Sequence, residues 1–335
     1  MTELLDDLAG ARVPWTSPAI AAWYSHDALR RQWRAPMRTE AERLGDIGFG
    51  EGFRDDVGKG PADPLAWANR RLVLGDGGWV LTGIRYRNRD VSRPFVDVIA
   101  TTASATPDGL AALVGSVLPA YDEFAPLSLR VDAPDPLALV EELGVDPRFG
   151  AGCAVDMLVV AETVVRLRAQ PRAAAYPDVR LRAGEPERLA RRVAEIYAEL
   201  GAGEPALARW AQPEDAESLA ACADEGLLFE VLAEGESAGV VAGLRYDAHG
   251  MRGFSVQEVC LDPAHRGRRR APAVLQRLVD ALPDQDGDVL WGTIDPANSA
   301  SLNSARSVGR RVVGGLVWVT PHGLPGMRPG TSGPT

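Results

Sequence analysis

Residues 256–278, VQEVCLDPAHRGRRRAPAVLQRL, are the stretch that most constrains what this chain can form. An apolar, strand-like run is followed by a proline, a basic turn with glycine, and an amphipathic helix. The first N–H groups of a helix lack partners within it and lie at the positive end of its dipole. The stretch therefore predicts an anion site, and the positive charge there comes from Arg266, Arg268, Arg269 and Arg270.

The composition is that of an ordinary globular protein. The chain has 335 residues, of which 46% are hydrophobic and 24% charged. This is about twice a typical domain of roughly 150 residues, which predicts two domains. No apolar run reaches the roughly 18 residues of a membrane span. The start of the chain is acidic where a secretion signal would be basic, and the three cysteines have no metal spacing. We expect a cytoplasmic protein with no metal and no membrane contact.

The charge balance excludes two functional classes. A net charge of −10 argues against general nucleic-acid binding, which requires a basic face over much of the surface. Chemistry on a lysine amine has one poor candidate, because Lys59 is the only lysine and lies in a glycine-rich segment. The expected partner is a small molecule, and a homodimer stays open.

The order of predicted elements repeats along the chain. Residues 1–70 look helical and irregular, with a Gly/Asp loop over 45–64. Each half then reads strand, hairpin, strand, helix, strand, helix, strand, and matching segments recur 161 to 165 residues apart, which indicates a duplication. We predict an α/β (α+β) protein with two tandem domains, each a mixed, mostly antiparallel sheet flanked by helices. Their expected bounds are 1–165 and 178–321, with a flexible tail over 322–335.

The second half resembles the GNAT acyltransferases, which transfer an acyl group from coenzyme A to an amine or, less often, a hydroxyl. The family's pyrophosphate turn reads Gln/Arg-x-x-Gly-x-Gly/Ala. Arg266 and Ala271 match its ends, whereas Arg269 replaces the first motif glycine. Arg269 is tolerated if its backbone is right-handed, and costs roughly 1 kcal/mol if φ is positive. The first half has ATTASATPDGL at the turn, so the resemblance implies two GNAT-like domains of which only the second has the cofactor motif.

The same resemblance implies further roles. Asn298, Ser301 and Gly309 fit the family's N-x-x-A/S stretch and the helix after it. Asn298 would contact the pantetheine arm, with capping of that helix as the alternative. Backbone groups near the end of the fourth strand would bind the thioester carbonyl. The residues that would bind acetyl-CoA or another acyl-CoA are Val259, Cys260, Leu261, Arg266, Gly267, Arg268, Arg269, Arg270, Ala271, Asn298 and Ser301.

One family residue is missing. Many members protonate the departing thiolate with a tyrosine four residues before the glycine that ends the last helix. Ala305 occupies that position here. Water, Ser304 or Ser307 would then substitute, or the thiol leaves as the thiolate.

Acyl transfer to an amine also needs a base. Glu258 is the only carboxylate inside the fourth strand and fits that role, directly or through water, with a half-exposed sheet face as the alternative. Cys260 is disfavoured as a nucleophile because its neighbours are apolar. Carboxylates in the acceptor region would favour a cationic acceptor, and the candidates there are Tyr197, Glu199, Trp210, Glu214 and Asp215.

The sequence therefore predicts an acyl-CoA-dependent N-acyltransferase, with acetyl-CoA as the expected donor and a small amine that attacks the thioester directly. Two alternatives stay open. One is a transferase of the same fold with an aminoacyl-tRNA or carrier-protein donor, suggested by Arg269 and the missing tyrosine. The other is a non-catalytic acyl-CoA-binding protein. A base at Glu258, pointing into the gap between the fourth and fifth strands of the second half, would separate an enzyme from a binding protein.

Overall fold

The computed structural model describes residues 1–170, 179–203 and 212–327. Two compact units are present, and each contains a mixed, mostly antiparallel sheet flanked by helices, which confirms the predicted fold class. No helix in the described part of the chain is long and apolar enough to cross a membrane. Unit 1 comprises Met1–Val159, Ala248–Met251 and Val313–Thr335, and unit 2 comprises Val160–Asp247 and Arg252–Val312.

Strands and helices follow the predicted order from the first hairpin onward, except that helices over 164–169 and 216–224 were not predicted. The strands are β1 (Arg70–Val73), β2 (Trp79–Tyr86), β3 (Pro94–Thr101), β4 (Leu129–Ala133), β5 (Ala154–Thr163), β6 (Val179–Ala183), β7 (Leu228–Ala233), β8 (Glu236–Arg245), β9 (Gly253–Leu261), β10 (Val289–Ile294) and β11 (Arg311–Val319). The helices are α1 (Thr2–Arg12), α2 (Pro18–Ala21), α3 (His26–Glu42), α4 (Ile47–Val57), α5 (Pro64–Trp67), α6 (Pro107–Ala120), α7 (Pro136–Val145), α8 (Val164–Ala169), α9 (Pro186–Gly203), α10 (Ala216–Asp224), α11 (Arg270–Ala281) and α12 (Ser299–Ser307).

The sheet of unit 1 has the order β1-β2-β3-β4-β11-β5. Its fifth member is the last strand of the chain, which pairs antiparallel with β4 so that Val317 lies opposite Val131. This strand was predicted at the end of the second half, whereas residues 313–319 belong to unit 1. β11 is apolar and buried over most of its length, as expected for a strand inside a sheet with both faces covered.

The predicted loop over residues 45–64 contains a helix, so this prediction was wrong. α4 begins after Asp46, whose carboxylate accepts the N–H of Phe49 at 2.6 Å. It ends at Gly58, which has a φ of 70°. An acidic N-cap and a left-handed glycine after the last turn are the usual boundaries of a helix. The glycines inside the segment hid these two signals.

Part of the predicted tail packs on unit 1. Met327 is 2% exposed and lies in a cluster with Phe95 and Trp318. Its carbonyl oxygen accepts a hydrogen bond from the guanidinium of Arg93. The remaining tail, 328–335, is outside the described residues.

The sheet of unit 2 has the order β10-β9-β8-β7-β6. One face packs against α9 and α10 in a cluster that includes Val240, Leu189 and Leu219. The other face packs against α11 through Val241 and Leu278. Neighbouring residues of β8 thus serve opposite faces, as strand alternation requires. The resulting framework holds β9 between two helical layers.

Two glycines of α4 provide a test of this packing. A Cβ atom at Gly50 would lie 2.1 Å from the carbonyl oxygen of Pro64, whereas one at Gly52 would have nothing within 4 Å. Gly50→Ala should therefore lower the free energy of unfolding by about 1 to 3 kcal/mol through overpacking. Gly52→Ala should raise it by about 0.5 to 1 kcal/mol, because alanine favours the helix. Urea unfolding of both variants measures the contrast, and equal effects would contradict the position of α4.

Candidate functional site

β9 has one residue more than its neighbour β8 at a single place. Ala242 pairs with Glu258, whereas the next residue of β8 pairs with Val256, so Gln257 is the extra residue of a β-bulge. One extra residue moves the later side chains of a strand to the opposite face. Val256 accordingly packs with the α11 cluster and Cys260 with the α9 and α10 cluster. The bulge turns Glu258 toward α9 and α10.

Glu258 is buried and forms a cluster with the half-buried Tyr197 and Glu214. The Tyr197 hydroxyl, on α9, donates to Oε1 of Glu258 at 3.1 Å. Glu258 is only 4% exposed, and the charge of Glu214, just before α10, acts on it. These three residues were predicted separately, Glu258 as the base and Tyr197 and Glu214 in the acceptor region. The fold brings them together within unit 2.

The cluster changes the acidity of its members. Burial is the largest cause and the charge of Glu214 adds to it, so the pKa of Glu258 rises from 4.5 to about 7 despite the hydrogen bond from Tyr197. Burial, followed by the charge of Glu258, raises the pKa of Tyr197, which keeps its hydroxyl a donor. Burial also raises the pKa of Glu214. A carboxyl that titrates near neutral pH is suited to exchange protons during a reaction.

The parallel pairing of β9 with β10 stops partway along both strands. Its last pair is Ser255 with Trp291. Beyond it, the described residues of these strands are not paired with each other. This leaves a gap between 256–261 of β9 and 292–294 of β10, which we call the notch. A gap between the fourth and fifth strands of the second half was expected from the family resemblance.

The basic turn after β9 has an unusual backbone. Gly267, Arg268 and Arg269 have φ values of 74°, 51° and 58°. The N–H of Arg270 donates to the carbonyl oxygen of Gly267 at 3.1 Å and closes the turn. Within residues 212–327, the N–H groups of Gly267, Arg268 and Arg269 have no backbone acceptor. Consecutive free N–H groups in such a turn form a concave site for an anion.

Arg269 takes the strained one of the two conformations left open by the sequence. It precedes α11 with φ 58° and ψ 25°, a left-handed conformation that costs an L-residue roughly 1 kcal/mol. Arg266 holds the turn against the strand, since its Nε donates to the carbonyl oxygen of Leu261 at 2.9 Å. Strain of this kind is often found at binding sites.

The four arginines of the turn are not equivalent. Arg270 is 3% exposed, donates to Glu234 at 2.7 Å and lies 3.2 Å from Nδ1 of His265. Its charge is thus compensated inside the protein. The arginines that project into solvent are Arg266, Arg268 and Arg269.

The residues expected on α12 have local partners. The side-chain oxygen of Asn298 accepts the N–H of Ser301 at 3.0 Å, so Asn298 caps this helix, which was the alternative to contact with a ligand. The cap uses only the oxygen of the amide. Contact of its N–H₂ group with a pantetheine arm therefore stays a prediction. The hydroxyls of Ser304 and Ser307 donate to carbonyl oxygens one turn earlier, at 2.9 and 2.8 Å.

The other candidates for the acceptor region lie in different environments. Glu199 is exposed on α9. Asp215 caps α10 by accepting the N–H of Ser218 at 2.9 Å, and Trp210 is outside the described residues. Cys260 is buried, and burial raises the pKa of its thiol well above the usual value, which opposes a role as a nucleophile. No group of side chains in the described residues is arranged to hold a metal ion.

The corresponding turn of unit 1 contacts the N-terminal segment. The Trp15 indole N–H donates to the carbonyl oxygen of Ala103, in the turn between β3 and α6, at 2.9 Å. Trp15 is 3% exposed and belongs to the unit 1 core. Arg12, buried beside it, donates to Asp132 of β4 at 2.6 Å. The N-terminal segment therefore packs against one side of this turn, whose residues Thr102 and Ser104 stay exposed.

The sequence matches no protein-family model and no curated protein. Among solved structures, a GCN5-related N-acetyltransferase from Sphaerobacter thermophilus is similar at 17% identity and a TM-score of 0.48, over 87% of this chain and 94% of that one. A GNAT-family acetyltransferase from Colwellia psychrerythraea is similar at 13% and 0.46, over 73% and 81%. A tandem GNAT protein from the clavulanic acid biosynthesis pathway is similar at 14% and 0.38, over 83% and 96%.

The raised pKa of Glu258 predicts a pH-dependent stability. Between the unfolded pKa of 4.5 and the folded value of about 7, the folded protein holds a proton that the unfolded chain releases, so the free energy of unfolding falls as pH rises. Glu258→Gln removes this loss. Relative to the wild type, the variant should gain about 2 to 3 kcal/mol between about pH 5 and pH 8.

Urea unfolding at the two pH values measures this gain. Glu199→Gln, which changes an exposed carboxylate on α9, is the matched control and should leave the pH dependence of the wild type intact. Parallel stability curves for the wild type and Glu258→Gln would show that Glu258 is not buried as described.

Proposed function

We propose that unit 2 is a GNAT-type acyltransferase that acylates a small amine with an acyl-CoA, acetyl-CoA being the simplest donor. The observation that carries this proposal is Glu258, a buried carboxyl with a pKa of about 7 that is bonded to Tyr197. It lies on the strand that borders the notch and leads into the basic turn. Structural likeness alone does not carry the proposal.

The residues present fit a phosphate-bearing donor. The free N–H groups of residues 267–269 and the start of α11 suit phosphate oxygens. Arg266, Arg268 and Arg269 are exposed beside them and would neutralise its charge. The notch offers unpaired backbone groups of 256–261 to an extended arm. When bound, the donor supplies an acyl carbon activated as a thioester.

Glu258 and its neighbours would prepare the amine. A free amine is mostly protonated near neutral pH, so it must lose a proton before it attacks. The Glu258 carboxylate would take that proton, directly or through water, because its pKa of about 7 leaves about half of it ionised at that pH. Tyr197 holds the carboxylate in position. Glu214 adds negative charge, which favours a cationic acceptor over a neutral one.

Glu258 also favours catalysis over simple binding. A protein that only held acyl-CoA would not require a desolvated carboxyl, which lowers stability at neutral pH. The hydroxyls of Ser304 and Ser307 are bonded within α12. For this reason we assign protonation of the departing thiolate to water rather than to either serine.

Calorimetry with CoA tests the donor site. Wild-type protein should bind CoA, and Arg266→Ala should weaken this binding roughly tenfold, because a charge-assisted contact to phosphate and the bond to Leu261 are both lost. Arg191→Ala, an exposed arginine of α9, is the matched control and should bind as the wild type does. No binding by the wild type would refute the proposal.

The pH dependence of the rate tests the base. Thiol release from acetyl-CoA, measured with a panel of small primary amines, should rise with pH through about 7 as Glu258 ionises. Glu258→Gln should lower kcat/KM roughly 100-fold at about pH 8 and flatten this rise. Its affinity for CoA should not change. A profile like that of the wild type would remove Glu258 from the mechanism.

A further inference from the structure

Unit 2 also contains a buried guanidinium that belongs neither to the basic turn nor to the Glu258 cluster. Arg310 is 4% exposed, and its Nε has no hydrogen-bond partner. Within the described ranges, its guanidinium forms no hydrogen bond and no ion pair with a carboxylate. Burial alone lowers the pKa of Arg310 to about 10, so it remains charged at neutral pH. An unpaired buried charge is costly, which makes it an exception to explain.

The position of Arg310 is fixed by its backbone. It directly follows Gly309, whose φ of 95° turns the chain at the end of α12. The N–H of Arg310 donates to the carbonyl oxygen of Ala305 at 3.0 Å. This bond anchors the backbone of Arg310 to the helix that precedes it, which fixes the position of its Cα atom.

The guanidinium lies where the notch begins. A Cβ atom built on Gly292 would be 3.4 Å from Nη1 of Arg310 and 3.6 Å from Cβ of Val256. Gly292 and Val256 are the first residues after the last pair of β9 with β10. A Cβ atom there would make ordinary contact with the guanidinium, which thus lies directly beside Gly292. Positive charge therefore stands at the closed end of the notch.

This end is far from the basic turn. From Val256 to Leu261 the strand rises by about 17 Å, at roughly 3.3 Å per residue. An arm held at the turn by its phosphates and extended along β9 would bring its other end to Val256. If unit 2 binds an acyl-CoA, the group next to Arg310 is the thioester with its acyl chain.

We propose that Arg310 binds a carboxylate on the acyl chain, so that the preferred donor is a dicarboxylic acyl thioester. This inference rests on the proposed function and narrows the acetyl donor named there. A carboxylate is a permanent anion that matches a guanidinium in charge and in geometry. A thiolate, present only after transfer, would leave Arg310 unpaired whenever donor is bound.

Succinyl-CoA and butyryl-CoA provide the test, because their acyl chains have equal length and differ in the terminal carboxylate. In calorimetry, the wild type should bind succinyl-CoA roughly 10-fold to 100-fold more tightly than butyryl-CoA. Arg310→Met, of similar length but uncharged, should bind both equally. Equal affinities in the wild type, or a preference that survives Arg310→Met, would overturn the inference and leave the proposed function intact. Binding of neither thioester would overturn both.

Thermal unfolding without ligand gives a second readout that a structural arginine would not produce. Arg310→Met removes an unpaired buried charge, so the free variant should melt at the same or a higher temperature than the wild type. A fall of more than about 5 °C would show that Arg310 has a structural partner and would overturn the inference. Arg310→Lys, which keeps the charge, should keep part of the preference for succinyl-CoA and serves as the alternative variant if Arg310→Met fails to fold.

Discussion

The extra residue of β9 at Gln257 is the constraint on which the site of unit 2 depends. Without it, strict alternation would place Glu258 on the same face as Val256, among the apolar side chains that pack on α11. With it, Glu258 faces α9 and meets Tyr197, while Val259 and Leu261 take over the packing on α11. The single extra residue thus keeps the apolar side chains of β9 in the core and places the carboxyl of Glu258 on the opposite face of the sheet.

The site concentrates interactions that oppose folding. Glu258 is a desolvated acid, Arg269 has a left-handed backbone, and Arg310 is a buried cation without a partner in the described chain. Each lowers stability in the free protein, and each lies on β9, at the turn after it, or at the notch beside it. Elsewhere in unit 2 the buried charges are paired, as Asp288 is with Arg245. Destabilising interactions that are concentrated in one place are typical of a binding site.

Local pattern was enough to predict the strand, turn and helix around residues 256–278, because each element there follows its own periodicity. It failed for α4, where the glycines outweighed the capping Asp46. The bulge at Gln257 has no composition signal, since it follows from pairing with β8. The role of Arg310 could not be predicted from the sequence either, because it also depends on contacts made only in the fold. Its only local sign is an arginine between a helix-ending glycine and an apolar strand, and its burial comes from residues that the fold brings near, such as Gly292.

The two units show that a repeated order of elements does not repeat a site. After β3, a backbone carbonyl oxygen in the turn of unit 1 accepts a hydrogen bond from Trp15, and Arg12 pairs with the carboxylate of Asp132. After β9, the turn of unit 2 keeps three N–H groups without backbone acceptors, and Arg310 has no carboxylate among the described residues. Unit 1 therefore pairs its buried arginine within the protein, while the described part of unit 2 retains donors and a charge that a ligand would satisfy.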